Sequence, residues 1–217
     1  VAAQLLDSLG RFHFSQVGAT FEDILARPDT PSDLRVAAVE ALVHSSQDAV
    51  QFLLAVAGDD TSADVRAAAA WASAVNDGGK KIGPRLVELA NREPEADVRR
   101  RLYEALVPQD EIPIERLLPT IGSEQDVAAR VAGFNAVGAA VGRAPSAPIA
   151  TVFDAGIVPE LQRIAASENS LNVRMRAVFA LRRAGTSAAQ DALAAIATTA
   201  PPPVALAARH GLHARDH

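Results

Sequence analysis

Cysteine is absent from the 217-residue sequence. Its absence removes disulfides, thiolate nucleophiles and every zinc or iron–sulfur site built on sulfur ligands. Aromatic residues are scarce at 4%, and lysine occurs only at Lys80 and Lys81. No run of eighteen apolar residues occurs, which excludes a transmembrane helix. Neither sign of charge dominates: 21 basic residues against 26 acidic ones give a net charge of -5. The overall field therefore draws the chain neither to nucleic acid nor to anionic lipid. What remains, 49% apolar and 22% charged, is the composition of a soluble chain long enough to bury a core.

The most abundant residue is alanine, at 46 positions, about a fifth of the chain. Alanine has the best helix propensity, whereas strands prefer β-branched and aromatic side chains, so the composition is helix-rich. Nineteen arginines against two lysines is a usage associated with GC-rich bacterial genomes. The sequence begins at Val1 without a basic-then-apolar leader, and residues 1 to 13 read as the closing part of a helix. Together these give the expectation of a domain excised from a longer chain. Cytoplasm and periplasm suit a cysteine-free chain equally.

A period organises the sequence. DLRVAAVEAL (33–42), DVRAAAAWAS (64–73), DVRRRLYEAL (97–106), ARVAGFNAVG (129–138) and NVRMRAVFAL (172–181) share one template. An apolar residue precedes an arginine; a small residue usually follows three later, alanine six later, and usually an aliphatic seven later. The arginines are Arg35, Arg66, Arg99, Arg130 and Arg174, and a degenerate sixth copy lies at VALAARHGL (204–212) with Ala205 in the arginine slot. Before each copy runs a second amphipathic stretch, such as Phe21-Ile24-Leu25, Leu86-Val87-Leu89 or Leu117-Leu118-Ile121, separated from it by turn and capping residues. The unit is helix, turn, helix. The second helices are predicted near 33–44, 64–75, 97–107, 126–141, 172–184 and 203–213. A lone pair cannot bury its apolar stripe, so the expected architecture is one all-α solenoid of about six stacked helix pairs over residues 1–217. The interval between Arg130 and Arg174 is about a dozen residues too long, and the insertion, 143–157, is expected as an edge loop that could shape a site.

On the D-x/V-R-x-x-A-x-x-A-L core of the second helix, the chain resembles HEAT repeats, in the short bacterial variety called the phycobilisome-lyase HEAT-like type. The resemblance implies an α-α superhelix with the second helices along its concave surface. It also implies a ladder of aspartate and arginine joining successive repeats, carried here by Asp33 with Arg35, Asp64 with Arg66 and Asp97 with Arg99. The fourth and fifth copies depart from it, with Ala128 and Asn172 in the aspartate slot.

Catalytic precedents among such repeats were tested by residue type. Deoxyhypusine hydroxylases hold two irons through paired His-Glu dipeptides, yet none of His13, His44, His210, His213 and His217 is followed by glutamate. HEAT-like DNA glycosylases use a basic, aromatic-lined groove. Arg100, Arg101, Arg176, Arg182 and Arg183 could meet phosphates and Trp71 and Tyr103 could stack on bases, but the acidic balance and the single Trp and Tyr disfavour nucleic acid. Chromophore lyase chemistry follows only from the repeat type, and no residue set marks a pigment site. His210, His213 and His217 share a helical face only if the last helix runs to the end, so no metal site is assigned. No phosphate loop, nucleophile elbow or dinucleotide fingerprint occurs, and Gly78-Gly79-Lys80-Lys81 reads as a turn.

Helical geometry then chooses the outward face. With the arginine at position zero, positions -1, +3, +6 and +7 form the buried stripe and +1, +2, +5 and +9 point away. Position +5 reads Glu40, Trp71, Glu104, Asn135, Phe179 and His210, while +6 is alanine five times and then Gly211. Packing demands the uniform slot, and a recognition surface allows the varied one. The neighbouring +2 and +9 positions add Arg101, Arg176, His44 and Arg183. The expected function is a non-enzymatic scaffold without cofactor, binding a protein or peptide, or other domains of the same parent chain. Trp71 and Phe179 would be its apolar anchors, and Glu40, Arg101, Glu104, Asn135, Arg176 and Arg183 its polar contacts. The alternative is an enzyme on the same scaffold, a chromophore lyase or a nucleic-acid repair protein.

Overall fold

The computed structural model describes residues 2–27, 29–45, 47–78, 80–145 and 148–213, with no strand among them. The helices alternate between two roles. First helices are α2 (Phe14–Ala26), α4 (Val50–Asp59), α6 (Gly83–Arg92), α8 (Ile114–Ser123), α11 (Val158–Ala166) and α13 (Ser187–Thr199). Second helices are α3 (Ser32–Ala41), α5 (Ala63–Asn76), α7 (Ala96–Leu106), α9 (Val127–Arg143), α12 (Leu171–Ala184) and α14 (Pro202–His213). A further helix, α1 (Ala2–Leu9), packs on α3 as a second helix would, and α10 (Pro148–Val152) precedes α11.

The chain divides into two compact units, Val1–Pro113 and Ile114–His217. In the first, α1, α3, α5 and α7 pack side by side in that order, and α4 packs on both α5 and α6. In the second, α9, α12 and α14 form the corresponding row, backed by α11 and α13.

The buried stripe is the one the template requires. Position +6 is sealed at Ala41, Ala72, Ala105, Ala136 and Ala180, and position +7 at Leu42, Ser73, Leu106, Val137 and Leu181. Position +6 therefore holds a small residue sealed inside the packing in five copies. The first helices contribute Phe21, Leu53, Leu86, Leu117, Leu161 and Leu193, all fully buried. Position +4 belongs to the core as well, with Val39, Ala70, Tyr103, Phe134 and Val178 buried.

The backbones of α9 and α12 approach closely. A Cβ on Gly138 would stand 2.8 Å from the Ala180 carbonyl oxygen, and one on Gly142 2.2 Å from that of Arg183. Glycine at these positions, four residues apart on one face, lets the two backbones touch. In α9 the outward rule fails: Val131 at +1, Ala132 at +2 and Ala139 at +9 are all buried. A helix with apolar residues all round is a buried helix, and α9 is nearly one.

The extra residues after Arg143 make helix where a loop was expected. Helix α10 passes into a π-helical segment, Phe153–Ile157, and then into α11, so 148–166 is continuously helical. Pro159 is the cause. It has no N–H to give to the preceding turn, and the ring would clash there, so the helix widens and the Val158 N–H reaches the Phe153 carbonyl instead. Ala150, Phe153 and Ile157 are buried, and the Asp154 carboxylate accepts from the Thr186 hydroxyl that caps α13.

Candidate functional site

Arg35, Arg66 and Arg130 reach the following repeat, and Arg99 and Arg174 bond carbonyls of their own helix pairs. Arg35 Nη1 donates to both Asp60 oxygens at 2.9 Å. Arg66 makes a two-pronged pair, Nε to Glu93 Oε2 and Nη2 to Glu93 Oε1, both 2.8 Å, while its Nη1 donates to the Asp60 carbonyl at 2.9 Å. Arg99 Nη1 donates to the carbonyls of Glu93 and Pro94. In the second unit Arg130 pairs with Glu160 at 3.1 Å, and Arg174 Nε donates to the Ala165 carbonyl.

This corrects the ladder expected from the resemblance. The carboxylates come from the turn of the following repeat, Asp60 and Glu93, not from Asp33, Asp64 or Asp97. Asp33 accepts from the Leu34 N–H and Asp97 pairs with Arg100. A sequence signal for the true partners exists: six residues before the arginines stand Asp29, Asp60, Glu93, Glu124 and Glu168. Glu93 is held below the ordinary glutamate range. Its burial pushes the other way, but the Arg66 hydrogen bonds, the Glu95 N–H and the Arg66 and Arg99 charges outweigh it. This network joins repeats and leaves the rest of the second-helix face free for other roles.

On that face of the first unit lies a groove of about 330 Å³ between α3, α5 and α7. Its floor is Ala67 and Ala68, with Val36 and Val43 on the α3 side and Arg100 and Arg101 on the α7 side. The alanines create it: larger residues at these positions of α5 would fill the space between the neighbouring helices. Trp71 lines the groove and is 47% exposed, a large apolar ring left in water. Glu40, Asp64 and Asp97 complete the rim.

The two arginines of the rim are held by their own helix. Arg100 meets Asp97 and Glu104, each at 3.2 Å, and Arg101 Nη1 donates to Glu104 at 3.0 Å. The structure thus gathers Glu40, Trp71, Arg101 and Glu104 on one face of one unit, and adds Val36, Asp64 and Arg100, which position-by-position reasoning did not assign to a site.

The other four predicted residues lie in the second unit, Asn135 on α9 and Arg176, Phe179 and Arg183 on α12. Phe179 is 40% exposed, but the Arg182 guanidinium lies over its ring at 5.8 Å from the centroid, so part of the apolar surface is already covered. Asn135 and Arg176 are half-buried and Arg183 is exposed. The Arg183 guanidinium is held below the ordinary arginine range, first by partial desolvation and then by the like charge of Arg143. His210 is exposed on α14, whereas the side chains of His44, His213 and His217 lie outside the described residues. Tyr103, considered above as a base-stacking residue, is fully buried and is a core residue. Among the described residues no group of histidine, aspartate and glutamate has metal-binding geometry, and no helix is long and apolar enough to cross a membrane. Of the Gly78-to-Lys81 stretch, Gly78 lies in a turn, Gly79 lies outside the described residues, Lys80 has φ 49°, and the Asp77 carboxylate accepts from the Lys81 and Ile82 N–H groups.

Rows of second helices backed by first helices, joined by arginine–carboxylate pairs across the turns, define a helical-repeat protein. Residues 18–107, from within α2 to the end of α7, match the family model of HEAT repeats. The match is to HEAT repeats in general and does not distinguish the phycobilisome-lyase type. No curated protein matches the chain.

Proposed function

We propose that the chain is a non-enzymatic scaffold that binds a protein or peptide partner on the second-helix face of its first unit, with Trp71 as the apolar anchor. The observation that carries this reading is an exposed indole beside an alanine-floored groove. Tryptophan is among the residues enriched at protein-binding hot spots, and an exposed apolar group rimmed by polar residues marks an interaction site. The scaffold loses little conformational entropy on binding, because the groove walls are helices already fixed by the core and by the arginine pairs. Glu40, Arg101 and Glu104 set charge complementarity around the ring. Phe179, with Arg176, Arg183 and Asn135, forms a second, weaker contact surface on the other unit.

Site-specific photo-crosslinking in the native cell tests the reading. A photoreactive residue in place of Glu40, in the groove, is expected to capture one defined protein. The same residue in place of Glu88, exposed on the first helix α6, is expected not to capture it. Equal capture from both positions, or capture that survives Trp71→Ala, would refute it.

A further inference from the structure

The groove in the first unit carries more chemistry than an apolar anchor. Its rim and their bonded neighbour hold four carboxylates, Glu40, Asp64, Asp97 and Glu104, against two guanidiniums, Arg100 and Arg101. Both arginines are occupied, Arg100 by Asp97 and Glu104 and Arg101 by Glu104. Glu40 and Asp64 are both exposed and have no ion pair among the described residues. The charge left uncompensated is thus negative, and it lines the same groove as the exposed face of Trp71.

The spacing makes these groups one receptor. Asp64 and Trp71 stand seven residues apart on α5, hence on one face and roughly 10 Å apart along the axis. Ala67 and Ala68 fill the interval between them, and a methyl floor lets a bound main chain lie close to the helix. Glu40 occupies on α3 the repeat position that Trp71 occupies on α5, so it borders the ring from the adjoining helix. An indole face flanked by carboxylates suits a planar cation. Guanidinium stacks flat on an aromatic ring and presents its N–H fork to a carboxylate at the edge, which the compact, strongly hydrated ammonium of lysine does less well.

We propose that this groove takes an arginine-bearing segment of a partner protein, its guanidinium stacked on Trp71 and paired with Glu40, while Asp64 adds negative charge further along the groove. The proposal rests on the reading that this face binds a protein and adds the chemistry of the bound segment. Charge complementarity argues for it, since an acidic or nucleic-acid partner would meet uncompensated carboxylates.

The test is selection of twelve-residue peptides from a random displayed library on the full chain, followed by fluorescence polarisation with the labelled winners. Winners are expected to share an arginine whose replacement by glutamine weakens binding about tenfold, with lysine intermediate. A Glu40→Gln/Asp64→Asn double variant and Trp71→Ala are each expected to weaken binding by a similar factor. All three positions are exposed, and an unchanged urea midpoint verifies that the variants fold. Winners that need Trp71 but carry no arginine and ignore the double variant would overturn the arginine assignment and leave the protein-binding reading standing. Winners indifferent to Trp71→Ala, including contacts between copies of this chain, or no winners at all, would overturn both.

Discussion

Removing Arg66 tests whether the cross-turn pairs hold the repeats together. Its guanidinium bonds both oxygens of Glu93 at 2.8 Å and the Asp60 carbonyl at 2.9 Å, with side-chain exposures of 12% for Arg66 and 6% for Glu93. Arg66→Ala leaves a nearly buried carboxylate with the Glu95 N–H as its remaining hydrogen bond. Breaking such a pair from one side costs about 3 kcal/mol. With a urea slope of about 2 kcal/mol per molar, the unfolding midpoint of the variant falls by about 1.5 M. Glu93→Leu strands the guanidinium instead and costs about 2 kcal/mol, because the Asp60 carbonyl still accepts from it. The double variant Arg66→Met/Glu93→Leu removes both charges together and is expected to lie within about 1 kcal/mol of the parent chain. The assay is urea unfolding followed by circular dichroism at 222 nm for the four chains of this cycle. A midpoint shift under about 0.5 M for Arg66→Ala, or a double variant as unstable as the sum of the singles, would refute the coupling.

Further outcomes follow from the same geometry. Because the folded-state pKa of Glu93 is depressed, its ionised form adds stability above the unfolded-state value of about 4.3. That stability is lost as pH falls from about 5 through the folded-state pKa. The midpoint difference between the parent chain and Glu93→Gln should therefore shrink over that range, and a constant difference would contradict the sign. Gly142 and Gly122 are the penultimate residues of α9 and α8 and make a matched pair. A Cβ at 142 strikes the Arg183 carbonyl, whereas at 122 nothing stands within 4 Å. Gly142→Ala should destabilise by about 1–2 kcal/mol and Gly122→Ala should stabilise by about 0.5 kcal/mol, as thermal unfolding would read. The uncompensated carboxylates around Trp71 predict that caesium quenches its emission more effectively than iodide at equal ionic strength. The opposite order would mean that the groove is not acidic. Asn76 is buried and donates to the carbonyls of Leu42 and Ala72, so Asn76→Ala should cost about 1–3 kcal/mol by urea unfolding.

The helices were legible because the template repeats one physical requirement, a small, fully packed residue at +6 of the second helix. Ala41, Ala72, Ala105, Ala136 and Ala180 therefore mark the same place in five copies. The outward slots were legible only where the helix has a free side. They hold at Glu40, Trp71 and Arg101 but not at Val131, Ala132 and Ala139, where α9 is enclosed, and amphipathic periodicity is blind to what encloses a helix. Tyr103 was misread for a related reason. Its +4 position lies at the edge of the stripe, where its burial depends on tertiary packing.

The ladder acids were hidden by looking within one helix, when the pair links an arginine to a turn 25 or 27 residues later. The insertion was read as a loop from its length alone. Pro159 widens a helix and does not end one when the flanking turns bury Phe153 and Ile157. The groove itself needed three helices in place before its alanine floor and its uncompensated carboxylates could be seen together.

Trp71 is the only tryptophan in the chain, so its fluorescence reports on the groove without a label. The most direct test of the binding face is to record its emission and its acrylamide quenching, first alone and then with a saturating peptide selected on the chain or the crosslinked partner. The account predicts long-wavelength, readily quenched emission from the free protein, and a blue shift with strong protection once the groove is filled. Emission already blue and protected in the free chain, or unchanged at saturation, would contradict the claim that Trp71 anchors a partner.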